Sequence, residues 1–280
     1  MIRIITDSAA DFEPQEPERL NITCIPLTVR FGAQEFQDGI DLTNSQFYDL
    51  LTAGTDLPQT SQASPQILLD LFEDAVACGD EAIYITLSSS LSGTYQSAVM
   101  AKNLADSPLC HVVDGRNATG GQRMIVEYAV RLRNEGKSAT EIVNTLEAIR
   151  NRVVLYACID TLEYLYKGGR ISQTAYKLGT LANIKPVITV EPDGSIGVPA
   201  KAMGMRKGMD YLCKQAQLRP ADPQFPFYVM YTSNRAVAEV LVSRLETCGI
   251  TVADEQIIQV GAAIGSHIGP DACGLVYVAK

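Results

Sequence analysis

No apolar run in this 280-residue chain approaches the roughly 20 residues that a membrane-crossing helix needs. The amino terminus, MIRIITDSAADF, holds no apolar stretch of signal-peptide length. There is no C-x-x-C pair. The seven cysteines (Cys24, Cys78, Cys110, Cys158, Cys213, Cys248 and Cys273) are odd in number and widely spread. Most lie in apolar runs, where a thiol behaves as a small hydrophobe. This argues against disulfides and a zinc site, and for a reduced, cytoplasmic protein without stable membrane insertion. There is no run of Lys or Arg either, and the net charge is −9 with a pI of about 4.8. Such a chain is a poor partner for nucleic acid unless it hides a local basic patch. No internal repeat or low-complexity segment stands out.

What is present is apolar side chain: 46% of the residues are hydrophobic and 20% charged, enough for a real core. The length suits one large domain or two ordinary ones. The stretch from Ala82 to Leu104 reads AIYITLSSSLSGTYQSAVMAKNL and organises the rest. The apolar run predicts a strand, and Ser88 to Gly93 predict a turn. From Thr94 the pattern predicts a helix with Tyr95, Ala98, Val99 and Leu104 on one side. Free N–H groups and the dipole at a helix start favour an anion. Ser88, Ser89, Ser90 and Ser92 add hydroxyls that can donate to it. The turn is therefore expected to hold a carboxylate or a phosphate; the alternative is that these serines only cap the helix. Leu91 before Ser92 breaks the glycine pattern of a nucleophile elbow, and no P-loop lysine is present.

Elsewhere in the first half, Ile2 to Thr6 predicts a strand closed by Asp7-Ser8. Those two are candidate supports for a site, or caps of a short helix. Ile22 to Phe31 is β-rich, and Asn44 to Ala53 reads as a helix. Ser64 and Pro65 start another, which carries Ile67, Leu68, Leu71 and Phe72 on one face. Thr60 and Ser61 then fall in a loop before it. Cys110 to Val113 reads as a strand, and two helices follow, Gly120 to Glu135 and Ala139 to Arg150. This alternation argues for a mainly parallel α/β domain over residues 1–152.

Val153 to Ile159 begins a second α/β domain, residues 153–280. There a hairpin signal, Glu191-Pro192-Asp193-Gly194, argues for a mixed or antiparallel sheet. A helix from about Gly204 to Gln217, a strand Phe225 to Tyr231, a helix Arg235 to Thr247 and a strand Thr251 to Val260 follow. Lys167-Gly168-Gly169-Arg170 presents Arg170 on a tight loop. His267 sits among glycines in a predicted loop, and its charge can change near neutral pH. The other histidine, His111, opens a buried-looking strand and reads as structural.

Six segments, in order, carry a resemblance. They are TDSAAD (Thr6 to Asp11), TSQASP (Thr60 to Pro65), LSSSLSGTYQSA (Leu87 to Ala98), KGGRIS (Lys167 to Ser172), NIKPVITV (Asn183 to Val190) and SHIGP (Ser266 to Pro270). Together they resemble the DegV family of bacterial fatty-acid-binding proteins, some of which are the carrier subunit of fatty acid kinase. The resemblance implies a two-domain DegV-like α/β fold and a long-chain fatty acid in an internal tunnel. It implies no metal, no other cofactor and no catalytic residue of the chain's own. Thr60, Ser61, Ser92, Gly93 and His267 match the family's carboxylate site. Arg170 matches the arginine thought to meet the kinase or its phosphoryl group, and Arg206 and Lys207 are the basic residues left where many relatives carry further arginines, with Arg206 the one expected to make that contact. Met203 and Met205 stand in that region here. The implied partner is a dihydroxyacetone-kinase-like protein that phosphorylates the bound carboxylate, the acyl phosphate feeding phospholipid synthesis.

The residue types also allow a different class of function. Ser92 as nucleophile, His267 as base and Asp7 or Asp114 as the orienting carboxylate would make a serine acyl hydrolase. Phe47, Tyr48, Ile67 and Leu91 are the first candidates for tunnel walls, with core packing as the alternative for each.

Overall fold

The computed structural model describes residues 1–54, 57–177 and 184–280. Asn183, the first residue of one family-like segment, lies outside them. In the first half the strands are β1 (Ile2–Asp7), β2 (Ile22–Ile25), β3 (Thr28–Phe31), β4 (Gln34–Gln37), β5 (Gln59–Ser61), β6 (Glu81–Thr86) and β7 (Cys110–Asp114). In the second half they are β8 (Val153–Cys158), β9 (Ile184–Val190), β10 (Ile196–Met203), β11 (Tyr228–Tyr231), β12 (Ile257–Gln259) and β13 (Cys273–Val278). The helices, in chain order, are α1 (Glu16–Leu20), α2 (Asn44–Ala53), α3 (Pro65–Ala77), α4 (Thr94–Ala105), α5 (Thr119–Asn134), α6 (Ala139–Ile149), α7 (Glu163–Lys167), α8 (Gln173–Lys177), α9 (Met205–Leu218), α10 (Arg235–Thr247) and α11 (Ala262–Ile268).

Three sheets result. A parallel sheet has the order β2-β1-β6-β7, a mixed sheet has the order β10-β9-β8-β13-β11-β12, and a small antiparallel sheet has the order β4-β3-β5. The mixed sheet is antiparallel except for β11 beside β12. The α/β class with one parallel and one mixed sheet is as expected.

The small sheet was not. The β-rich run Ile22 to Phe31 splits into two strands belonging to different sheets, with Pro26 at the break. Proline has no N–H to continue a ladder, so the chain leaves one sheet there and starts another. The strand expected over Thr251 to Val260 shrinks to Ile257–Gln259, with a 3-10 turn over Asp254–Gln256 ahead of it.

Helix α5 packs against strands of both large sheets. Against the mixed sheet its closest approach is at Gly120, where a Cβ would lie 2.7 Å from Val276 Cγ1. The main core draws on both sheets, with Ile4, Ile83, Leu155, Met230 and Val276 in one buried cluster. Helix α4 shows a narrower inner face than its pattern predicts. Thr94, Ser97, Ala98 and Ala101 are buried, while Leu104 is 63% exposed. The face of α4 turned to α3 is thus lined by small residues, which allow close helix approach.

Candidate functional site

In the parallel sheet, β1 leads to β2 on one side, and the chain later returns through β6 on the other. The carboxyl ends of β1 and β6 therefore form a topological switch point, where open α/β sheets leave a crevice for ligands. Asp7 ends β1 there, fully buried. Its carboxylate accepts from Leu87 N at 3.2 Å, Tyr84 Oη at 3.1 Å, Gln122 Nε2 at 3.1 Å and Ala9 N at 3.2 Å. Burial raises its pKa to about 6, against the pull of these bonds. Asp7 thus ties down the start of the Ser/Gly turn and also caps the 3-10 turn Ser8–Ala10, so both alternatives fall on one carboxylate. Ser8 does the same for Leu27, accepting from its N–H at 3.1 Å.

The four serines of the turn divide their work. Ser88 Oγ donates to Gly194 O at 2.8 Å and Ser90 Oγ to Asp193 O at 2.7 Å, so both dock the β9–β10 hairpin. Ser89 Oγ donates to the Asp114 carboxylate at 2.6 Å. The idea that all four hydroxyls face one anion is therefore corrected: the lone donors of these three are already engaged with the chain. Only Ser92 reaches the cavity, together with Gly93. Ser92 Oγ lies 3.0 Å from Thr94 Oγ1 and accepts from Thr94 N at 3.2 Å.

That cavity has a volume of about 180 Å³ and lies between the Ser/Gly turn after β6, strands β8, β9 and β10 of the mixed sheet, and β5 of the small sheet. Its greasy wall includes Leu87, Leu91, Leu155, Ile188, Ile196 and Ile264. Of the four suggested wall residues, Leu91 is there. Ile67 is 50% exposed on α3. Phe47 and Tyr48 pack in a separate cluster with Val29, Leu42 and Ala262. They brace α11 from behind, where a Cβ on Gly265 would lie 2.7 Å from Phe47 Cε1 and from Tyr48 Oη.

The wall also has polar members. Thr60 Oγ1 and His267 Nε2 are 2.8 Å apart in it, and Ser61, Gln62, Ser92, Gly93 and Arg170 line it too. Thr60, Arg170 and His267 also border a second cavity of about 420 Å³, which contains Tyr164, Lys167 and Ser266. Exposed Gln59 and Lys167 lie on its rim. The three side chains thus stand between a greasy chamber and a polar one. Arg170 Nε donates to Leu91 O at 2.9 Å and a guanidinium Nη to Gly168 O, which ties the Gly-Gly-Arg loop to the Ser/Gly turn. Burial lowers the arginine's pKa from its ordinary value.

Two local predictions are corrected here. Thr60 and Ser61 are on strand β5 rather than in a loop, paired with Val29 and Thr28 of β3. His267 is in the last turn of helix α11, not in a loop. Glycine-rich sequence disfavours helix, but Ala262, Ala263, Gly265 and Ser266 are buried, and that packing overrides propensity. The imidazole is neutral: burial, then the charge of Arg170, holds its pKa down to about 3. A Cβ on Gly168 would sit 2.3 Å from His267 Nδ1, so only glycine lets the ring lie there. That Nδ1 is buried without a hydrogen-bond partner among the described residues.

Arg206 is exposed on α9 and is not among the cavity's residues. Thr119, at the start of α5, lines the cavity in a left-handed backbone conformation (φ 49°). Nothing in its sequence surroundings marked it. Among the described residues no cluster of three His, Cys, Asp or Glu could hold a metal ion. No helix among them is long and apolar enough to cross a membrane.

The sequence pattern of one family, described as an uncharacterised protein of the DegV type, matches residues 1–280. A DegV domain-containing protein of Caldanaerobacter subterraneus subsp. tengcongensis is 34% identical over 280 residues, covering 100% of this chain and 99% of the relative. One from Clostridium perfringens is 34% identical over 274 residues, covering 95% and 93%. Among solved structures, a fatty-acid-binding DegV family protein from Thermus thermophilus superposes with a TM-score of 0.90 at 29% identity, covering 100% of this chain and 99% of that one. A stearic-acid-binding protein from Eubacterium ventriosum superposes with a TM-score of 0.89 at 25% identity, covering 100% and 99%. DegV, a fatty acid binding protein from Bacillus subtilis, superposes at 0.86 with 27% identity, again over 100% and 99%. With the pattern running from the first residue to the last and the fold shared throughout, this chain belongs to the DegV family.

Proposed function

We propose that this protein carries one long-chain fatty acid between its two domains, residues 1–152 and 153–280. The acyl chain lies in the greasy cavity, and the carboxylate meets Thr60, Ser61, Ser92, Gly93 and His267. The observation that carries this reading is the greasy chamber whose wall holds a half-buried hydroxyl–imidazole pair. The cavity of about 180 Å³ is little larger than one that takes up benzene, so as it stands it receives part of a long acyl chain. Each methylene buried there contributes about 0.8 kcal/mol before ordering costs. A buried carboxylate needs donors, since leaving it unpaired costs several kcal/mol, and each charged hydrogen bond returns about 1.5–3 kcal/mol. The neutral imidazole suits such a site. With Nε2 protonated it donates to Thr60 Oγ1, which frees the threonine proton for the carboxylate. Solved relatives that bind fatty acids support the ligand class.

In this reading the polar chamber beyond Thr60, Arg170 and His267 is where a dihydroxyacetone-kinase-like partner reaches the carboxylate, with Arg170 and Arg206 as contacts. The acyl phosphate would feed phospholipid synthesis in the cytoplasm. The purified protein can be denatured and its organic extract analysed by mass spectrometry. About one long-chain fatty acid per chain is expected, and an extract without lipid overturns the carrier assignment. Phosphorylation of the bound acid by such a kinase and ATP, lost in Arg170→Ala, tests the second half.

The hydrolase alternative finds less support. Ser92 Oγ pairs with Thr94, His267 Nε2 pairs with Thr60, and among the described residues no carboxylate meets His267 Nδ1. Labelling of Ser92 by a fluorophosphonate would revive it.

A further inference from the structure

A polar cavity of about 300 Å³ lies on the far side of β9 from the greasy chamber, with Val190 in the wall of both. Arg116, Arg150 and Arg219 line it, with Asn117, Tyr156 and one carboxylate, Glu191. Three arginines around one cavity go against the grain of a chain with net charge −9. Arg150 has a side chain only 12% exposed, held in place by a bond from Nη1 to Asp114 O at 2.8 Å. Its nearest counter-ion is half-exposed Glu147, at 3.9 Å. The Arg150 Nε is buried without a hydrogen-bond partner among the described residues, and a guanidinium so placed with only a long ion pair is costly and is relieved by an anion. Arg116 is held at φ 46°, a conformation rare for residues other than glycine. The Asp193 carboxylate near Arg116 is occupied by Ser195.

We propose that this cavity binds a phosphate group, gripped by Arg116, Arg150 and Arg219. Arginine's planar fork suits phosphate oxygens in paired hydrogen bonds. The site touches the fatty acid site through the backbone: Ser88 N donates to Asn117 O at 2.8 Å, and Ser89 N and Arg116 N share Asp114 Oδ1. A bound phosphate would therefore order the segment from which the Ser/Gly turn hangs.

Calorimetric titration of the full-length chain with pyrophosphate at low ionic strength is expected to show saturable binding to one site. Arg116→Gln and Arg219→Gln are each expected to weaken it tenfold or more. Unchanged thermal unfolding would show that these half-buried and exposed side chains are not holding the fold. ADP that binds more tightly than pyrophosphate assigns a nucleoside phosphate with its base against Tyr156, and equal affinity assigns the bare anion. Absence of saturable binding by either probe, or binding that both variants leave intact, overturns the site.

Discussion

Replacing Thr60 by valine removes one hydroxyl and little else. Valine has nearly the shape of threonine and favours a strand, so β5 and its pairing with β3 are retained. In the free protein the change leaves His267 Nε2, 2.8 Å from the lost oxygen, without its partner. A buried unpaired donor costs about 1–3 kcal/mol of stability. Binding should suffer separately, because the carboxylate loses one charge-assisted hydrogen bond of about 1.5–3 kcal/mol. At about 1.4 kcal/mol per tenfold, that is roughly a ten- to hundredfold weaker dissociation constant. The control is a fatty alcohol of the same length. It makes only a neutral hydrogen bond, worth about 0.5–1.5 kcal/mol, so its affinity should drop less. Displacement of a fluorescent fatty acid measures both ligands on both proteins. An acid affinity that Thr60→Val leaves alone, or equal losses for acid and alcohol, would refute the placement of the carboxylate at this wall.

Three further outcomes are expected. Because His267 is held near pKa 3 in the fold against 6.5 when free, the unfolded chain binds the extra proton between those values. The stability of the wild type relative to His267→Gln therefore falls as pH drops below 6.5, by up to about 1.4 kcal/mol per pH unit, which urea unfolding at several pH values will read. Asp7→Asn places a donor among the donors Leu87 N, Tyr84 Oη and Gln122 Nε2 and is expected to cost about 3 kcal/mol. The folded pKa of Asp7, about 6, lies above its free value of 3.8, so this deficit should be smaller at about pH 7 than at about pH 4. Gly120→Ala drives a methyl to 2.7 Å from Val276 Cγ1 and 3.1 Å from Met230 Sδ. Such overpacking costs about 1–3 kcal/mol, visible as a melting temperature several degrees lower.

Much of the architecture was legible from local pattern. Helix α10 falls on Arg235 to Thr247, as its periodicity predicts. The Pro-Asp-Gly hairpin joins β9 to β10 where turn chemistry says it must. The errors share one cause. Spacing groups Leu104 on one side with Tyr95, Ala98 and Val99, yet the buried face of α4 is made of Thr94, Ser97, Ala98 and Ala101. Spacing finds a stripe, but the neighbouring helix decides which stripe is covered. His267 looked like a loop residue because glycine weakens helices in isolation. The burial of α11 between Phe47, Tyr48 and the cavity supplies what propensity lacks.

Local pattern by itself marks the residues at the polar wall only as types, a hydroxyl before a helix, a serine in a turn, a lone histidine; the family-like motifs are what singled out Thr60, Ser92 and His267. The chain by itself determined the strand–turn–helix at Ala82 to Leu104, the wide spread of its cysteines, and a family-like set of short motifs. Hydrogen bonding and side-chain periodicity along the backbone are enough for that. Only the tertiary structure decided that Thr60 meets His267 across 207 positions, that Ser88, Ser89 and Ser90 serve the scaffold, and that one side of this wall is greasy and the other polar. Such pairings depend on how separate elements pack in three dimensions, and no local rule of sequence carries that distance.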